Sequence, residues 1–206
     1  ATYSTYKFGL LRTLLRIAAG APGMVRGRDD GFVEVPMGLV GLYWLKGYHP
    51  LMLDDFKQIP RGNTAFGPAL ENLANSVSIH DWRVGSRFTG ARARSFHSAV
   101  KSARDAIMDS GPAKHITYAD TDQPIFVAEK QPISDARDRV KVNREYLWSF
   151  GTLKIPDQIW EAMSHHWVWI EPSVCDAWLD KMRRLDDGSH EYSEFVEALR
   201  WRGKDP

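Results

Sequence analysis

The stretch FVEVPMGLVGLYWLKGYHPL, residues 32–51, decides the fold class. Its first four residues, Phe32 to Val35, have the β-branched and aromatic make-up of a short strand. Pro36 then supplies the fixed φ of a first helical turn, and residues 37–49 read as an apolar helix that is expected to end at His49-Pro50. A short strand that runs through a proline straight into an apolar helix, in a chain otherwise mainly helical, fits an α+β domain. Upstream, Tyr6, Leu10, Leu14, Ile17 and Ala18 fall on one helical stripe while Lys7, Arg12 and Arg16 stay off it, which predicts a core-facing helix stopped by Gly20, Pro22 and Gly23.

Downstream the pattern stays mainly helical. A helix is expected over about 64–77 with Thr64 as its N-cap, and a long one over about 91–110 with Phe96, Val100, Ala103 and Ile107 facing inward. Strand-like alternation marks His115 to Tyr118 and Pro124 to Ala128 on either side of the turn ADTDQ. Between Val140 and Ile155, Tyr146, Trp148 and Phe150 at period two suggest a further strand or two. Three helical stretches complete the chain, at 156–164, from Val168 or Pro172 to Leu185, and at 189–201, with Pro156 and Pro172 suited to first turns. The expected class is therefore α+β, a predominantly helical single domain with a few short antiparallel strands.

Length allows a substantial core, since 206 residues need no covalent staples. One cysteine, Cys175, offers neither a disulfide framework nor a structural zinc site, and a reducing, cytoplasmic compartment is expected. Apolar runs fall short of a membrane span, and the first twenty residues read as an amphipathic helix rather than a signal peptide. A membrane partner is not expected.

Charge is balanced overall, 27 Lys and Arg against 26 Asp and Glu, but it is strongly segregated. Residues 1–28 carry Lys7, Arg12, Arg16, Arg26 and Arg28 without an acid. Residues 82–104, WRVGSRFTGARARSFHSAVKSAR, carry Arg83, Arg87, Arg92, Arg94, Lys101 and Arg104, again without one. Residues 153–199 hold ten acids against four bases. Such asymmetry can present a basic face to a polyanion while the total stays near neutral, and nucleic acid is the commonest polyanion. The competing reading is a set of solvated helix faces paired with the acidic C-terminal part.

Signatures of catalysis are scarce. The chain has no GxxxxGK[ST], no strand followed by GxGxxG and no GxSxG. His165 and His166 are neighbours whose side chains diverge by about 100° on a helix, a poor arrangement for one metal ion. Glu34 with Asp55 and Lys57 is the only match to a two-carboxylate-and-lysine nuclease pattern, and it falls on a polar loop. Among the eight tryptophans, Trp82 stands out because HDWRVGSRFTG places it in a polar loop beside Arg83 and Arg87. Arginines there can clamp phosphates or guanine, and Trp82 with Phe88 could stack on a base, the alternative being that both anchor the loop to the core.

Four segments, TYKFGLLRTLLRIA, VPMGLVGLYWLKGYHPL, RFTGARARSFHSAV and SFGTLKIPDQIWEAMSHHWVWIEPSVCDAWLDKM, succeeded by ALRWRGKDP, resemble in order the N-terminal region of bacterial HNH endonucleases. The HNH module itself is not in this sequence. The resemblance implies that residues 1–206 are the N-terminal DNA-recognition domain of a larger HNH endonuclease, not an enzyme by themselves and without a cofactor. By analogy with modification-dependent restriction, it also implies recognition of double-stranded DNA carrying 5-methylcytosine. Arg83, Arg87, Arg92, Arg94, Lys101, Arg26 and Arg28 are the expected DNA contacts, with Trp82 and Phe88 as base-stacking residues. The alternative is a protein-interaction or dimerisation module with a basic docking face.

Overall fold

The computed structural model describes residues 4–27, 30–109, 111–201 and 205–206. It is a mostly helical α+β domain, as the pattern of residues 32–51 requires. Helix α1 (Tyr6–Gly20) leads through a short turn to β1 (Arg26–Gly27) and β2 (Phe32–Pro36), and β2 passes directly into α2 (Met37–Leu53). Then come α3 (Gly67–Ser76), β3 (Arg87–Thr89), α4 (Gly90–Met108), α5 (Pro112–His115), β4 (Val127–Lys130), β5 (Arg139–Lys141) and α6 (Arg144–Trp148). Strand β6 (Gly151–Pro156), α7 (Asp157–Leu185) and α8 (Tyr192–Ala198) complete the order.

Strands β1, β2, β6 and β4 form an antiparallel sheet in that order. Its centre is two strand–proline–helix units side by side, because β2 and β6 pair with Phe32 opposite Pro156 and Pro36 opposite Thr152. In each, the last strand residue is a proline in extended backbone at the helix N-cap, Pro36 for α2 and Pro156 for α7. A proline there loses nothing, since the first N–H groups of a helix have no intrahelical partner.

Helix α2 is the axis of the core. Leu39, Val40, Leu42, Tyr43, Trp44, Leu45 and Tyr48 have no exposed surface, and α1, α3, α4 and α6 all pack on this helix. Close approach explains two of its glycines. A Cβ on Gly38 would stand 2.7 Å from the Leu147 carbonyl oxygen and 2.8 Å from the Leu147 Cα, and one on Gly41 would stand 3.1 Å from the Val100 carbonyl oxygen. Helix α7 lies along α1, where Arg12 and Arg16 both donate Nε–H groups to Glu171 Oε1, at 3.0 and 2.8 Å.

Several expected boundaries move. Helix α2 continues through Pro50 to Leu53, so Pro50 does not end it, and the two helices expected at 156–164 and up to Leu185 are one, α7, which runs unbroken through Pro172. Each proline removes one i→i−4 hydrogen bond, and burial of neighbouring turns outweighs that loss. Thr64 is not an N-cap: α3 starts at Gly67, and the Thr64 hydroxyl instead faces Met52 Sδ at 3.9 Å. The segment around Tyr146 is the helix α6 rather than a strand, because Asn143 Oδ1 caps it by accepting from the Tyr146 N–H at 2.9 Å. Tyr146 and Phe150 then meet edge to face at 5.1 Å, an i,i+4 contact that period-two spacing disguised. Of the strands expected at His115 to Tyr118 and Pro124 to Ala128, the first is reduced to a single bridge, Thr117 to Pro124, and the second begins only at Val127, as β4.

Candidate nucleic-acid interface

Strands β3 and β5 form a two-stranded antiparallel ribbon separate from the main sheet, with Arg87 opposite Lys141, Phe88 opposite Val140 and Thr89 opposite Arg139. Directly opposed residues share a face, and so do residues two apart along a strand. One face therefore carries Phe88 and Val140, both buried, with Phe88 against Phe96 of α4 at 4.8 Å between ring centroids. The other carries Arg87, Thr89, Arg139 and Lys141, all exposed. Strands this short hold their shape because the inner face is pinned to α4 and the ends are tied. The Gly90 N–H donates to the Asp138 carbonyl, Gly85 N–H to the Val142 carbonyl and Val142 N–H to the Ser86 carbonyl.

The six cations of residues 82–104 divide among three roles. Arg83, Arg87 and Arg92 are exposed around the ribbon, Arg83 on the loop before β3 and Arg92 in the first turn of α4. Arg94 and Lys101, two turns apart on α4, are ion-paired, Arg94 with Asp138 and Lys101 with Asp135 at 3.0 Å and Asp105 at 3.6 Å. Arg104 is buried, donating Nη1 to the Gln131 carbonyl at 2.9 Å and Nε to Asp105 at 2.9 Å. The last three cations staple the 131–138 segment along α4, which is a structural task.

Trp82 and Phe88 are corrected outright as stacking residues. Trp82 has no exposed surface, donates Nε1–H to the Val77 carbonyl at 3.1 Å, and meets the His49 ring edge-on at 5.1 Å. Phe88 is 8% exposed. The polar letters around Trp82 belong to exposed neighbours, while its own side chain anchors the loop from beneath. Arg26 lies on β1, in the other sheet, with its guanidinium 4.0 Å from the centroid of the Trp148 ring. Arg28 lies outside the described residues.

Two contributors were missed by sequence reasoning, Arg139 and Lys141. The alternation Arg139, Val140, Lys141 was a legible signal, but Asp135 and Asp138 next to it made the segment look neutral. The nuclease pattern loses its lysine, since Lys57 Nζ sits 2.7 Å from Asp187, whose carboxyl is held down to about 2 by Lys57 and Ser189. Among the described residues no group of three His, Cys, Asp or Glu is placed to hold a metal ion, and no helix is long and apolar enough to cross a membrane.

Residues 1–199 match the model of a family described as a domain of unknown function, DUF8808. The chain belongs to this family. The match takes in every strand and helix named above, so the ribbon, α4 and the loop that carries Arg83 all lie within the DUF8808 region. No curated protein and no solved structure shows a significant match to the chain.

Proposed function

We propose that this domain docks on double-stranded DNA through the outer face of the β3–β5 ribbon. The observation that carries the reading is the register that puts Arg87, Arg139 and Lys141 on one exposed face, with Arg83 and Arg92 beside it. A two-stranded ribbon is narrow enough to enter the major groove, which is about 12 Å wide, and cations on its outer face can reach both phosphates and guanine edges. As a recognition part rather than an enzyme, it would serve a nuclease module supplied elsewhere, as the resemblance to HNH endonuclease N-terminal regions implies.

Recognition of 5-methylcytosine is the finer form of this proposal, and with Trp82 and Phe88 inside it falls to a different residue. Thr89 stands on the outer face, two residues from Arg87 and opposite Arg139. Its methyl group can touch a 5-methyl group in the major groove, as threonine does with thymine, while a neighbouring arginine takes the adjacent guanine. One buried methyl group contributes about 1 kcal/mol, roughly fivefold in affinity.

The test is a titration of the triple variant Arg87→Gln, Arg139→Gln, Lys141→Gln with a duplex over a range of salt. Each lost phosphate contact lowers the slope of log K against log salt by about 0.9, so the slope should fall by about 2 to 3. Unchanged affinity and slope would sink the assignment. Parallel titrations with unmodified and 5-methylcytosine duplexes, for the parent chain and Thr89→Ser, test the finer form, which fails if methylation changes neither.

A second reading, a protein-interaction module, is favoured by one observation. Trp169 of α7 is 77% exposed beside the exposed Val168. Light scattering separates the two: a stable dimer that Trp169→Ser dissociates, with DNA affinity absent, would promote it over DNA docking.

A further inference from the structure

Away from the ribbon face, a cavity of about 260 Å³ opens between α1, the C-terminal half of α2, the 79–81 turn and the chain after α8. Pro50, in the last turns of α2, lies in its wall, and Gly47 faces the Trp201 ring. Its floor holds Arg12 and Lys46, both buried, and its rim holds His80 and Arg200, both exposed, with His49 between them. Against these, Asp54 is the one carboxylate among the described residues of the lining.

Behind the lining, the wall carries more positive than negative groups. Arg12 and Arg16 share Glu171, and both guanidiniums lie over the Trp201 ring, at 5.4 and 5.0 Å from its centroid. Lys46 and Arg16 are within electrostatic reach of Asp205, whose own carboxyl is pushed up by burial. Among the described residues, Arg12, Arg16 and Lys46 thus face Glu171 and Asp205 there, Arg83 adds its charge within electrostatic reach of Lys46, and Arg200 on the rim is paired with Glu197 at 3.4 Å. Burial pushes the Lys46 ammonium down from its ordinary range, and an anion bound beside it would raise it again. Leu53, Ile79 and Pro50 supply an apolar side to the same space.

We infer that this cavity is a binding site for a small phosphate monoester, with Arg12, Lys46 and Arg200 on the phosphate and Leu53 and Ile79 against its carbon part. Arginine forks and a lysine point charge are the usual protein partners of phosphate. The volume lies below that of drug-sized pockets, which start at about 300 Å³, so the occupant is limited to the size of a mononucleotide or smaller. The same chemistry could come from a free phosphate ester or from the terminal phosphate of a nucleic-acid strand. None of its lining residues lies on β3 or β5, and the one ribbon-side cation within electrostatic reach of it is Arg83, which acts on Lys46.

Isothermal titration of the full chain with inorganic phosphate, deoxycytidine monophosphate, neutral deoxycytidine and a 5′-phosphorylated single strand tests it. A phosphate compound should bind with a Kd below about 1 mM while deoxycytidine gives no heat. Lys46→Met and Arg200→Glu should each weaken that binding by about tenfold or more. Tighter binding of the strand than of the mononucleotide identifies a strand end as the source, and equal binding a free ester. Should Lys46→Met not fold, Arg200→Glu and His80→Ala on the exposed rim carry the measurement. No binding of any phosphate compound at about 10 mM overturns the proposal. So does binding that survives the rim variants and is lost with Arg87→Gln, Arg139→Gln, Lys141→Gln.

Discussion

Trp82→Phe separates a loop anchored to the core from a loop that presents an aromatic ring to DNA. Trp82 is wholly buried, so its indole contributes close to the full area of a core tryptophan, about 150–250 Å². At about 25 cal/mol per Å² this is roughly 4–6 kcal/mol as an upper bound, in line with the roughly 3–5 kcal/mol typical of Trp→Ala. Phenylalanine keeps most of the ring but cannot donate to the Val77 carbonyl, which accepts from Nε1 at 3.1 Å, and it leaves a small void beside His49. A lost buried hydrogen bond of about 1 kcal/mol plus a cavity of similar cost gives about 2 kcal/mol. A domain with an ordinary reserve of about 5–15 kcal/mol survives that, so the variant can be studied folded. The assay is urea unfolding monitored by circular dichroism, then duplex titration of the folded variant. Expected are a lower midpoint and unchanged DNA affinity. Stability within about 0.5 kcal/mol of the parent, together with a tenfold loss of DNA affinity, would refute the anchoring argument and restore Trp82 as a contact.

Named contacts give three more expected outcomes. Glu171→Ala leaves Arg12, whose side chain is 5% exposed, without the carboxylate it shares with Arg16, and should cost about 3–5 kcal/mol in urea unfolding. Gly38→Ala drives a Cβ into the Leu147 backbone of α6, which has no flexible end to move aside, so a loss of about 1–3 kcal/mol is expected, against less than that for Gly47→Ala, whose nearest neighbour is the Trp201 ring at 3.5 Å. His190 has both ring nitrogens facing acceptors, Nδ1 on Asp186 Oδ1 at 2.9 Å and Nε2 on the Asp54 carbonyl at 3.0 Å, an arrangement that suits the imidazolium. The hydrogen bond to Asp186 raises the His190 pKa and lowers that of Asp186. The histidine's contribution is thus full below about pH 6.5 and is lost as pH rises through the raised folded value, and the Asp186 contribution is lost as pH falls below about 3.9. The stability difference between the parent and His190→Asn should shrink as pH rises above about 6.5, and a constant difference would contradict the pairing.

Much of the architecture was legible because apolar periodicity reports burial. The stripe of Tyr6, Leu10, Leu14 and Ile17 became α1, and Phe32 to Leu51 became a strand feeding the central helix. Failures cluster where one short signal was trusted over its surroundings. Pro50 reads as a helix end and Pro172 as a helix start because a proline's local penalty is visible in sequence, while the packing of the turns around it is not. Tyr146, Trp148 and Phe150 read as a strand because two-residue spacing over so short a run also fits a helical turn leading into a strand. The one capping signal that decides it, Asn143, lies just before the aromatics. Trp82 was misplaced for a related reason. Loop polarity is a property of a window, but burial is a property of one side chain, and a loop with a single indole under it still averages polar.

Charge segregation was the sequence's strongest hint, and the fold changes what it means. Only Arg83, Arg87 and Arg92 of the acid-free run face outward at the ribbon, while Arg94 and Lys101 are paired and Arg104 is buried. Their partners Asp135, Asp138 and Asp105 all lie beyond the end of that run, so no window within it could show the pairing. In exchange, β5 returns Arg139 and Lys141 from a stretch that looked neutral. The outward cations at the ribbon thus come from two well-separated segments, brought together by a ladder of only three residue pairs. On the proposal that the ribbon docks on DNA, a surface of some five cations on a chain of net charge +1 predicts a shallow electrostatic grip, with a salt slope of about 4 to 5 if every one meets a phosphate. Binding of that kind releases readily from unspecific duplex. On the same proposal, discrimination between duplexes would come from the few groups that can reach base edges, which on this face are Thr89 and the two arginines beside it.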